Sequence, residues 1–178
     1  GDLPGALVQF REAVRLNPTN AEDHYNVGMV LKSQSDLDGA IAAFRQAVAL
    51  QPDFEKARYS LGMALRTQGQ TKAAETELRH GAALQDLKLR LARAKNLVVQ
   101  GDKLLKLGNL DEALDLFQKA LQESADLPTT HYYVALTWEK KGETNKALAS
   151  YQKALELKPD YAQAHSSLGL LYWRQGDR

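Results

Sequence analysis

Residues 128–161, PTTHYYVALTWEKKGETNKALASYQKALELKPDY, hold two amphipathic segments within 34 residues. In the first, His131, Val134, Ala135 and Trp138 recur at i, i+3, i+4 and i+7, which is one face of a helix. Lys141-Gly142-Glu143 interrupts the pattern. In the second, Ala147, Tyr151, Ala154, Leu155 and Leu157 mark another apolar face, and Pro159, which helix interiors do not tolerate, closes the unit. The small Ala135, Ala147 and Ala154 let two helices of a hairpin approach closely. One such hairpin cannot bury its own apolar surface, so it needs neighbours of the same kind.

Those neighbours are in the sequence. Sliding by 34 residues, 21–54, 55–88 and 94–127 match in register, and 162–178 repeats the first segment up to its turn. The first of these reads His24-x2-Val27-Gly28-x2-Leu31, then Ala40-x3-Phe44, then Pro52. The next reads Arg58-x2-Leu61-Gly62-x2-Leu65 and Ala74-x3-Leu78, with Asp86 where proline is expected. On these residues the chain resembles the tetratricopeptide repeat (TPR) family, whose pattern is W-x2-L-G-x2-Y, then A-x3-F, then P. The resemblance covers nearly the whole chain. It implies an all-α fold, a right-handed α-solenoid of helix–turn–helix repeats with about ten helices.

The expected organisation is a single array. Gly1-Asp2 stands at the turn within a repeat, so residues 1–20 read as the second helix of a truncated repeat, with Ala6, Phe10 and Ala13 inward. Full repeats follow at 21–54 and 55–88, and again at 94–127 and 128–161; residues 162–178 read as a first helix ending at a Gly176-Asp177 turn. Together 162–177 and 3–20 have the length of one repeat, so head-to-tail self-association is an expectation. Ser35 occupies a turn place that favours glycine, at a modest cost in local stability.

Residues 89–93 form an insertion that the repeat does not account for. From Ala82 to Gln100 there is neither Gly nor Pro, and Leu84, Leu87, Leu91, Ala94 and Val98 make a helical seam. Two readings stand: a helix continuous across 82–100, which the seam favours, or a turn near Asp86. Lys88, Arg90, Arg93 and Lys95 also cluster here. The cluster reads as a solvated helix face rather than a patch for an acidic partner.

Composition narrows the function. A net charge of +1 gives no global attraction to nucleic acid or anionic membrane. There is no cysteine and no apolar run long enough to span a bilayer, and the compartment is left open. His24, His131 and His165 share the fourth place of their repeats, one per unit, and read as packing residues; His80 stands alone. No phosphate loop, nucleophile elbow or metal-ligand His pair is present, so no catalytic residue, cofactor site or metal site is assigned.

What remains is the stripe beside the hairpin interior on each first helix. The resemblance implies that it lines a concave, peptide-binding groove. The candidates there are Tyr25, Asn26, Met29, Lys56, Tyr59, Met63, Arg66, Tyr132, Tyr133, Leu136, Leu170 and Trp173. Lys95, Val98, Val99, Asp102 and Leu105 hold the same places in the third first helix. Methionine recurs at one place and tyrosine at another, residues suited to adaptable apolar contacts. Asn26 and Lys56 fit two places of a carboxylate clamp, but Ser60 stands where its arginine belongs, and no clamp is expected. The expected function is a protein–protein interaction scaffold holding a peptide or a partner's helix. Alternatives are the targeting arm of a larger enzyme such as a glycosyltransferase, or a self-assembling scaffold.

Overall fold

The structure is a computed structural model that describes residues 1–176. Its nine helices, among the described residues, are α1 (Leu3–Leu16), α2 (Ala21–Ser33), α3 (Leu37–Leu50), α4 (Glu55–Thr67), α5 (Thr71–Leu107), α6 (Leu110–Glu123), α7 (Pro128–Lys140), α8 (Thr144–Leu157) and α9 (Ala162–Gly176). Two compact units divide the chain, Gly1–Leu87 and the residues from Lys88 onward. Gly176 ends α9, and the second residue of the expected Gly176-Asp177 turn lies outside the described residues.

Within the first unit, α1 packs on α2, α2 on α3 and α3 on α4. In the second, α6 packs on α7, α7 on α8 and α8 on α9. The waist of each hairpin explains the sequence pattern. A Cβ built on Gly28 would lie 2.6 Å from the Phe44 ring, one on Gly62 2.7 Å from Leu78, and one on Gly101 2.4 Å from Phe117. These distances are too short for any methyl group, so the glycine lets the partner side chain rest against helix backbone. In the fourth hairpin, Ala135 and Tyr151 hold the same places, and both are fully buried. Phe44 and Phe117 are fully buried too, each inside its own cluster. Burying such a ring contributes roughly 1.5–3 kcal/mol.

The intra-hairpin turns share one geometry. Gly69, Gly108 and Gly142 have φ of 85°, 85° and 79°, and Ser35 has φ 64°. One residue later the amide reaches back to the carbonyl five residues before it: Asp36 to Leu31, Gln70 to Leu65, Asn109 to Leu104 and Glu143 to Trp138, each at 2.9 Å. This is the Schellman closure, which needs a left-handed residue just past the helix. Ser35 adopts that conformation with a Cβ, at a cost of roughly 1–2 kcal/mol.

Between repeats a four-residue turn is closed from the fourth place of the next helix. His24 bonds the Pro18 carbonyl, His131 that of Ala125 and His165 that of Pro159, each at 2.9 Å through Nε2. Arg58 does the same work with Nε, donating to the Pro52 carbonyl at 2.7 Å. The ring nitrogens donate an N–H to a turn carbonyl one residue past the C-cap of the preceding helix.

One turn is missing from this series. Residues 82–100 are helical throughout, inside the 37-residue α5. Two expected helices are therefore one, which brings the count from about ten to nine among the described residues. The physical reasons are local. Asp86 replaces the helix-ending proline, and Leu97, at the place of His24 and Arg58, has no side-chain N–H to close a turn. Gly81 and Gly101 lie inside α5, but a helical glycine costs only about 1 kcal/mol.

Two outcomes test this account by thermal or chemical denaturation. Gly28→Ala should destabilise the chain by about 1–3 kcal/mol through overpacking, whereas Gly169→Ala, whose Cβ would meet nothing within 4 Å, should be neutral or stabilising. Ser35→Gly should raise stability by about 1 kcal/mol, as the left-handed strain is relieved.

Candidate binding faces

On α2 and α4 of the first unit, the predicted stripe is only partly available. Tyr25 packs its ring against Phe44 at 5.7 Å and Phe54 at 5.2 Å, so it belongs to the core that those rings anchor. Asn26 is half-buried. Met29 is 38% exposed, and its sulfur lies 3.9 Å from Ser60 Oγ, so α2 and α4 meet there. Arg66 Nη2 sits 3.1 Å from the Met63 sulfur, which ties this charge to its own helix. Lys56 is exposed, and Tyr59 is 60% exposed. Lys56 and Tyr59 line a cleft of about 450 Å³ with Leu78, Gly81 and Ala82 of α5. The four apolar side chains of this stripe are thus divided between core packing and open surface.

In the second unit the stripe forms a more continuous surface. Lys95, Val98, Val99 and Asp102 of α5, with Leu127, Thr129 and Tyr133, line an apolar cleft of about 340 Å³. Asp102 also borders a second cleft of about 390 Å³, lined by Leu105, Lys106, Leu136, Glu139, Lys140 and Arg174. Lys106, Lys140, Arg174 and Leu127 are absent from the predicted set. Both lysines follow the stripe by one place, where a long side chain still reaches the rim.

The charges around these clefts are held in place. Lys106 Nζ is 2.6 Å from Asp102, Arg174 Nη1 is 2.7 Å from Glu139, and Lys140 Nζ donates to the Leu105 carbonyl at 3.3 Å. Glu139 also accepts from the Tyr151 hydroxyl at 2.8 Å. One carboxylate thereby links α7, α8 and α9. Tyr132 is packed among Tyr133, Tyr151 and Tyr161, with centroids 5.2–5.9 Å apart. Tyr133 stacks on Phe117 at 5.7 Å, and burial together with the nearby Asp102 charge pushes its hydroxyl pKa up. Leu136 is half-buried between two core clusters, while Leu170 and Trp173 are exposed on α9.

The basic cluster on α5 is largely used within the second unit. Arg93 makes two bonds to the Glu123 carboxylate, at 3.1 and 3.0 Å, and Arg90 donates to the Gln122 carbonyl at 3.3 Å. Arg90 therefore caps the end of α6, and Arg93 adds a positive charge beside it. Among the described residues, no group of three or more His, Asp or Glu side chains has the geometry of a metal site. No described helix is long and apolar enough to cross a membrane.

Stacked helical hairpins with an open stripe along their first helices define an α-helical repeat scaffold. The chain carries tetratricopeptide repeats: the family model described as TPR repeat matches residues 28–69 and 140–176. That fold serves protein–protein interaction in general, and such arrays are generally non-catalytic scaffolds. No curated protein sequence matches the chain. Among solved structures, the P58(IPK) TPR domain is 24% identical over 99% of this chain and 52% of its own, with a TM-score of 0.49. The chain thus spans about half of that structure's length. MamA is 23% identical over 92% of each chain, with a TM-score of 0.47. YrrB, described as a TPR protein with an unusual peptide-binding site, is 21% identical over 95% of this chain and 84% of its own, with a TM-score of 0.44. These superpositions are too loose to transfer any site.

Burial of Tyr151 and its bond to Glu139 push the hydroxyl pKa well above its ordinary 10.0. The folded pKa is raised, so below pH 10 both folded and unfolded tyrosines are protonated and the stabilisation is complete. Above that pH the unfolded chain ionises first, and stability is lost as pH climbs toward the folded value. Denaturation midpoints between pH 8 and about 11 should fall beyond pH 10, with a shallower slope in Tyr151→Phe.

Proposed function

We propose that the chain is a non-catalytic scaffold that holds an extended peptide segment of a partner protein along the α5, α7 and α9 face of the second unit. The observation that carries this reading is the pair of adjoining clefts that share Asp102. The first has an apolar floor of Val98, Val99 and Tyr133, suited to one aliphatic or aromatic anchor. The second is bordered by Lys106, Lys140 and Arg174, each already directed by a bond to its own framework. A peptide with an apolar anchor followed by an acidic residue suits that sequence of environments. Apolar surface supplies the affinity, and the lysines and arginine steer and set the direction. Tyr132 contributes by packing beneath this face, and Tyr133 by forming its wall.

The reading is tested with a phage-displayed library of extended peptides selected on the whole chain. Val99 is 56% exposed, so Val99→Glu leaves the core untouched. It should weaken the enriched peptides by roughly tenfold or more, as loss of a central anchor does. Helical content measured by circular dichroism should be unchanged. Peptides that bind Val99→Glu as tightly as the unaltered chain would rule this face out.

A further inference from the structure

In three of the four full repeats the fifth place has a lid at the thirty-fourth. Phe54 lies on Tyr25 with centroids 5.2 Å apart, and Tyr161 lies on Tyr132, also at 5.2 Å. Val98 and Leu127 hold the same two places and line one cleft. In each of these steps the lid residue stands just before a first helix. For Tyr59 the corresponding residue is Lys88, which continues inside α5. Tyr59 stays 60% exposed, whereas Tyr25 and Tyr132 are half-buried.

The surface beside Tyr59 is open in the same way. Ala47 of α3, against which α4 packs, is fully buried. Gly81, at the equivalent place on α5, is buried as well, against α4, but next to it Ala82 is exposed where Val48 of α3 is half-buried. Together with Leu78 and Gln85 they wall the 450 Å³ cleft on Tyr59. A Cβ at Gly81 would meet Arg58 and the α4 backbone at 3.7–3.9 Å, so α4 and α5 approach less closely here than helices do at the hairpin waists. Where the chain elsewhere leads the next first helix in from a turn, with its leading aromatic or apolar residue, α5 runs on here without a turn.

We infer that this open step is a docking site for an amphipathic helix of a partner protein, led in by an aromatic side chain that takes the lid place over Tyr59. The chain's own packing defines the occupant. It must look like Phe54 followed by α4 on α3, or Tyr161 followed by α9 on α8: an aromatic residue, then a helix with small residues on the face that meets Ala82. Exposed Lys56 at the rim favours an acidic residue in its first turn, where the helix dipole favours it as well. This site lies in the first unit and does not depend on the peptide reading of the second.

The test is a phage-displayed library of amphipathic helices with a fixed leading aromatic residue, selected on the whole chain. Helices enriched on the unaltered chain should bind roughly tenfold or more weakly to Ala82→Glu and to Tyr59→Ala. Both residues are exposed, so both variants should keep their helical signal. Val8→Glu on α1, where Val8 is 63% exposed, should bind as the unaltered chain does. Replacing the leading aromatic residue of the peptide by alanine should cost a similar factor. The inference is overturned if no helix enriches over an Ala82→Glu counter-selection, or if binding survives both variants. It is also overturned if binding is lost on Val99→Glu alone, which would put these helices in the other unit. Sedimentation that reveals a dimer dissolved by Ala82→Glu would assign the cleft to a second copy, and would equally overturn it.

Discussion

Each hairpin in this chain depends on how closely two helices can approach at a single point. At that waist one side chain from the second helix lies against the first, in three of the hairpins with less room than a methyl group needs. Gly28 under Phe44, Gly62 under Leu78 and Gly101 under Phe117 solve the problem in the same way. Ala135 under Tyr151 solves it differently, and the larger ring sends its hydroxyl out to Glu139. That outlet matters, because a buried hydroxyl without a partner would cost roughly 1–3 kcal/mol. The choice at the waist therefore reaches the surface. Through Glu139 it fixes Arg174, one of the charges that border the second cleft.

The periodicity was legible because every contact that defines a hairpin is made within one 34-residue period. Waist glycine, partner ring and turn glycine stand at fixed separations, so their recurrence can be counted. The histidines were legible only in part. Their shared place marked them as structural, yet their role is to close the inter-repeat turn with one N–H. Arg58 held the missing signal: it occupies the same place, and the feature it shares with histidine is a side-chain N–H donor. The course of 82–100 could not be fixed by pattern, since a helical seam continues whether or not a turn interrupts it. Two substitutions decide it, Asp86 for a proline and Leu97 for a donor, and each removes one means of ending or closing a helix.

The binding stripe divides along the same line. Counting places gathered Lys95, Val98, Val99, Asp102 and Tyr133 into one set, and they do line one cleft. Counting also put Tyr25, Tyr59 and Tyr132 in one class, although their environments differ widely. The difference lies outside the first helix, in the residue twenty-nine places on, Phe54 for Tyr25 and Tyr161 for Tyr132. A stripe read one helix at a time omits that residue, because it belongs to the turn before the next helix.

The consequence concerns how a repeat protein makes one surface adhesive without changing the residues on it. A tyrosine packed under an aromatic lid has used its face, with the pair contributing about 0.5–1.5 kcal/mol beyond the area that it buries. The same tyrosine without the lid keeps that capacity. In this chain the lid place over Tyr59 falls within α5, so the change is made by the backbone: a proline and a turn donor are absent, and a helix runs on. Loss of helix termination and gain of an open aromatic surface are then a single structural event. This coupling explains why the exposed Tyr59 stands in the repeat out of which the 37-residue helix runs.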